Sequence, residues 1–238
     1  MKNIKLAVLA AALAAASSAR ASLITVTIDS VSPGEIVNLV VTPAAGSLVP
    51  AYNGGVYAGI YNLTVNGASV PTFCIDVAHD VYLGETFNDY SYIALASAPA
   101  TPAGPMNAAQ ATDIEKLWAA YYSGPLGAEN NAVNAAALQV AIWETLGNGA
   151  QGYTVTESDG VGVATEAAIM LTALNNGSLT AEQSVNALVS PDGQGYAADP
   201  SGPLRSVVPE PTTIISGVLM LLPFGASGLR ILRRNRAV

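Results

Sequence analysis

A single cysteine, a single histidine and only nine basic residues among 238 set the first limits on this chain. One cysteine excludes an intramolecular disulfide and leaves Cys74 to be explained by burial, by pairing with another chain or by chemistry. Between residues 22 and 208 the only basic residues are Lys116 and Arg205, against sixteen Asp and Glu. A surface of that sign repels nucleic-acid phosphates and anionic lipid, so neither is an expected partner. Internal repeats, βαβ alternation, a phosphate-binding glycine loop and the spaced Asp, Asn and Gly of a calcium loop are also missing, and no metal or cofactor is expected.

What is present begins at the two ends. Lys2 and Lys5 precede an apolar run from Leu6 to Ala16, and Ala19-Arg20-Ala21 follows, the charged, apolar and small-residue order of a secretory signal cleaved after Ala21. At the far end Pro209, Glu210 and Pro211 precede an apolar stretch from Ile214 to Leu229 and then Arg230, Arg233, Arg234 and Arg236. With its flanking residues that stretch reaches the roughly 20 residues of a membrane span, and the arginines would stay on the cytoplasmic side. This tail resembles the PEP-CTERM sorting signal. The resemblance implies an exported protein of a Gram-negative bacterium, transiently held in the inner membrane, processed by an exosortase-type enzyme and delivered to the cell surface or an exopolysaccharide-containing matrix.

The segments in between predict an α+β fold. Leu23 to Asp29 and Glu35 to Thr42 alternate and are β-branched, with a break at Ser32-Pro33-Gly34. Asn66-Gly67 separates the runs 56–65 and 68–77 and predicts a hairpin, because a type I′ turn needs two positive φ angles. Helical periods run from Asn107 through Ile114, Leu117, Trp118 and Tyr121, and from Asn131 through Leu138, Ile142 and Leu146 to a Gly147 cap. Weaker helical stretches cover Thr165 to Leu174 and Thr180 to Leu188, with a late strand in Gly152 to Thr156. Strands first and helices later favour α+β over a doubly wound sheet. The division expected is a signal peptide (1–21), an exported domain (22–189), a Gly, Pro, Asp and Ser-rich spacer (190–208) and the sorting tail (209–238).

Two stretches carry chemistry. Phe73-Cys74-Ile75-Asp76 sits at a predicted strand end, and Leu138-Gln139-Val140-Ala141-Ile142-Trp143 lies inside a predicted helix. Gln139 and Trp143 are four apart and share a helix face, so Trp143 can cover what Gln139 touches. A thiol held against a glutamine carboxamide can displace ammonia and form a thioester, which a later amine converts to an amide. Phe73, Trp143 and Tyr82 are candidates for shielding that bond from water.

Both stretches resemble the motifs of the thioester domains of bacterial surface adhesins, with Cys74 matching the thioester cysteine and Gln139 its partner. The resemblance implies a β-sandwich or barrel-like core with a helical insertion, and covalent capture of surface or matrix amines without enzymatic turnover. Two other readings stay open: a noncovalent exopolysaccharide or biofilm matrix module with a degenerate thioester-like fold, and a Cys-His hydrolase using His79 and Asp76. The hydrolase needs a sharp turn between Cys74 and His79 that no residue between them marks.

Overall fold

The first strand, β1 (Ile24–Pro43), sets the architecture of a computed structural model that describes residues 23–100, 104–147, 153–158, 162–199 and 204. Ser32, Pro33 and Gly34, read from the sequence as a break between two strands, are a bulged stretch of one. The register of β1 against β2 (Tyr52–Val65) shifts between Ile28 and Ser30 and again between Val31 and Gly34. A proline offers no N–H to the ladder and is tolerated where the register slips. Across these bulges the buried positions change from Ile24, Val26 and Ile28 to Val37, Leu39 and Val41.

Asn66 and Gly67 turn β2 into β3 (Ala68–Cys74) with φ of 48° and 87°, the hairpin their chemistry predicts. A loop of residues 75–85 leads to β4 (Thr86–Ala94), a strand that the sequence does not announce, since Tyr90 is its only buried residue. The short pair β5 (Pro99–Ala100) and β6 (Gly104–Pro105) precedes α1 (Ala108–Tyr121). Here Asn107 Oδ1 accepts from the Gln110 backbone at 2.9 Å while Gln110 Oε1 accepts from the Asn107 backbone at 3.0 Å, a reciprocal cap that fixes where the helix starts.

α2 (Ala132–Gly147) is buried without interruption from Ala135 to Trp143. An unbroken apolar helix needs neighbours all round. It finds them in β1 and β2, in α1, in α3 (Val163–Asn175) and in β7 (Tyr153–Ser158), which pairs with the far half of β1.

Residues 180–185, read as helical, are irregular and lead into β8 (Asn186–Val189), which pairs with β4. Ser190 onward, read as the start of a spacer, returns to the sheet as β9 (Tyr196–Ala198) between β3 and β8. Strands of four and three residues are too short to display a period of two, and glycine and proline around them imitate a linker.

The strand order β1-β2-β3-β9-β8-β4 closes back on β1 with antiparallel pairings throughout, and β7 extends β1 outside the ring. The fold is therefore α+β with a barrel-like core rather than a sandwich, and its helices lie between β6 and β8 in the chain. Among the described residues no helix is long and apolar enough to cross a membrane. The signal peptide, residues 200–203 and 205–208 of the expected spacer, and the sorting tail with Pro209, Glu210, Pro211, Arg233 and Arg234 lie outside the described residues.

Candidate functional site

Cys74 is the last residue of β3, at a place where the sheet opens. β2 and β3 pair as far as Tyr61 opposite Thr72. Continuing that register would bring Gly59 opposite Cys74, but at Gly59 the backbone takes φ 147° and presses instead on Pro33 and Gly34 of β1. Only glycine fits there, since an added Cβ would lie 2.4 Å from the Pro33 carbonyl oxygen. β2 thus leaves the Cys74 N–H and C=O without a strand partner.

Gln139 takes that place from α2. The Cys74 N–H donates to Gln139 Oε1 at 2.8 Å, and Gln139 Nε2 donates to the Cys74 carbonyl at 2.8 Å. One carboxamide completes the ladder at two points, with both residues fully buried. One turn further along α2, Trp143 Nε1 lies 3.4 Å from Cys74 Sγ and donates to it. The sequence-predicted trio of Cys74, Gln139 and Trp143 is therefore one hydrogen-bonded cluster.

Burial pushes the Cys74 thiol up to about 12, with the nearby Asp76 charge adding to the effect and hydrogen bonds from the Asp76 backbone and Trp143 opposing it. The thiol is protonated at neutral pH. Its neighbours Tyr61, Tyr90 and Tyr196 are also pushed up by burial and keep their protons, so the barrel interior around the sulfur carries no phenolate. The Tyr196 hydroxyl is buried and has no hydrogen-bond partner among the described residues.

The chain turns tightly after Cys74. Sγ donates to the Asp76 carbonyl at 3.0 Å and accepts from the Asp76 N–H at 3.3 Å. The Asp76 carboxylate accepts from the Ala78 N–H at 2.9 Å and pairs with His79 Nδ1 at 2.8 Å. Gln194, in the loop before β9, clamps this turn by donating from Nε2 to the Asp76 and His79 carbonyls at 3.0 and 3.1 Å. The Tyr90 hydroxyl fixes Gln194 in turn by donating to its carbonyl at 2.6 Å. The turn that the sequence leaves unmarked is thus made by the thiol and by a glutamine more than a hundred residues away, and it brings His79 to Asp76.

Of the shielding candidates, Trp143 covers the sulfur. Phe73 is buried against Trp118 of α1, ring centroids 5.2 Å apart and edge to face, as the strand's alternation dictates for the residue beside Cys74. Tyr82 is 71% exposed and stands on the loop of residues 75–85. Asp89 accepts from Ser190 Oγ at 2.9 Å. Among the described residues no group of three His, Cys, Asp or Glu is placed to hold a metal.

A cavity of about 440 Å³ opens between the β1–β2 pair and the loop of residues 75–85. Tyr52, Tyr57 and Tyr61 stand on one wall, and Asp76, His79 and Gln194 on another. Trp143 and Asp76 border this cavity and also touch Cys74 Sγ, so one layer of residues separates the two. Gln194, which carries no sequence signature, is the residue that sequence reasoning misses. A second, more open groove along α3, lined by Ala164, Ala168, Ile169 and Thr172, presents no titratable or nucleophilic side chain beyond a hydroxyl.

No family model and no curated protein sequence matches the chain. Among solved structures, the N-terminal thioester domain of surface protein from Clostridium perfringens aligns with 68% of this chain and 98% of its own length, at 9% identity and a TM-score of 0.36.

Proposed function

We propose that Cys74 and Gln139 form an internal thioester and that the domain uses it to attach covalently to amines of a surface or extracellular matrix. The observation that carries this reading is the two-point seating of the Gln139 carboxamide on Cys74 beneath Trp143. In the forming step Sγ bonds to the Gln139 carboxamide carbon. The developing negative charge on Oε1 meets the Cys74 N–H already in place, in the manner of an oxyanion hole. The thiol proton passes to the departing nitrogen, the C–N bond breaks and ammonia leaves. A neutral thiol suits this exchange because the leaving group must be protonated. Burial under Trp143 keeps water from the product.

Covalent attachment by such a bond is a single event per molecule, so the domain acts as a binding module and not as a turnover enzyme. The terminal sequences support export through a signal peptide, transient residence in the inner membrane and processing by an exosortase-type enzyme. The hydrolase alternative is disfavoured at the thiol, which burial raises where a nucleophilic thiolate needs it lowered. The noncovalent matrix module has one observation in its favour, since the same two hydrogen bonds satisfy the buried carboxamide without any reaction.

Methylamine separates the two readings. A thioester protein takes up one methylamine per chain, and Cys74→Ala takes up none. A native chain that takes up none leaves the matrix-module reading.

A further inference from the structure

The cavity beside the thiol has an acceptor in need of a donor. Gln194 is 7% exposed and lines the cavity. Both hydrogens of its Nε2 are committed to the Asp76 and His79 carbonyls, which fixes the orientation of the amide, and its buried Oε1 has no hydrogen-bond partner among the described residues. A buried acceptor left unmatched is costly, and a ligand N–H or O–H would recover that cost. The neighbouring groups are of matching character: Asp76 and Asp80 are carboxylates, Tyr52 and Tyr57 offer aromatic walls, and neither lysine nor arginine lines the cavity. A positively charged donor on an apolar stem, such as a primary alkylammonium, fits that combination.

We propose that this cavity seats the incoming amine against Gln194 Oε1 and that His79, oriented by Asp76, is the base that takes its proton during acyl transfer. The assignment rests on the thioester reading. His79 is one-third exposed on the cavity wall, and its Nδ1 is held by a carboxylate that is 2% exposed, an arrangement that fixes an imidazole's tautomer and supports the cation formed when it accepts a proton. An amine arriving as its ammonium ion first gives up its extra proton to solvent water. The neutral nitrogen attacks the thioester carbonyl as Trp143 moves aside. The N–C bond forms, the C–S bond breaks, and the second nitrogen proton passes through His79 to the Cys74 sulfur, leaving an amide on Gln139 and a neutral thiol. The titratable groups that share the cavity with His79 are Asp76, Asp80 and Tyr82 from its own loop and Tyr52, Tyr57 and Tyr61 from β2.

The test follows n-butylamine incorporation by intact mass across a range of pH, using the full chain and its His79→Gln and His79→Ala variants. The expected result is that all three carry the ammonia deficit, that both variants incorporate butylamine about 100-fold more slowly at neutral pH, and that the wild-type rate profile has an inflection which both variants lack. Imidazole added to His79→Ala restores part of the rate. Wild-type rates and an unchanged pH profile in either deficit-bearing variant overturn the role of His79 while leaving the thioester intact. Loss of the deficit in both variants overturns it as well, by moving His79 into bond formation. A wild-type chain of full sequence mass overturns the underlying thioester reading and this assignment with it.

Discussion

At the scale of single residues, Gln139 does two things at once. Its carboxamide stands in for a missing strand partner, and in the proposed thioester it also supplies the acyl carbon. Gln139→Ala strips both hydrogen bonds from the buried Cys74 backbone, and the expected loss of stability is about 3 kcal/mol, read from the urea midpoint. That variant also leaves a free thiol, and burial in the fold raises its pKa above the value in the unfolded chain. For a group raised on folding, the stabilising contribution is whole below the unfolded pKa and fades as pH climbs toward the folded one. Stability of Gln139→Ala should therefore fall between pH 8 and roughly 11 more steeply than that of Cys74→Ala/Gln139→Ala, a comparison in which the buried tyrosines cancel. Parallel profiles for the two variants would show that the thiol is not held neutral by burial.

At the scale of elements, the site depends on β2 parting from β3. Gly59 makes that divergence possible, and Gly59→Ala would drive a Cβ to 2.4 Å from the Pro33 oxygen and 2.5 Å from Gly34 Cα, backbone atoms that cannot swing aside. The expected cost is about 3 kcal/mol or more in denaturant unfolding, accompanied by loss of methylamine uptake as the slot for Gln139 is distorted. Full stability and uptake in that variant would show that the slot does not depend on this close approach.

Elements with their own local signal are legible in the sequence. The Asn66-Gly67 hairpin follows from turn chemistry, α1 from its cap and periodic stripe, and Cys74, Gln139 and Trp143 from residue type and helical spacing. β4, β8 and β9 are not legible, because each owes its existence to a partner strand rather than to its own pattern. The same holds for Gln194, which matters only because β9 brings its loop against the Asp76 turn. Tyr82 misleads for the converse reason: it is close to Cys74 in sequence, but its loop carries it outward.

At the scale of the whole molecule, the barrel and its buried α2 supply the rigidity that bond formation requires, while the acidic segment between residues 22 and 208 holds only Lys116 and Arg205 as basic residues. Few internal amines would compete for the acyl group of the proposed thioester, which would leave it for an external partner. Made in a host with the sorting enzyme, the mature chain should begin near Ser22 and end near Pro211, and terminal sequencing that recovers Arg233-Arg234 on released protein would contradict the sorting reading. The central claim is tested most directly by the intact mass of freshly purified native protein. The account predicts a mass one ammonia below that of the processed sequence; a full sequence mass, with a thiol that is quantitatively free after unfolding in acid, would contradict it.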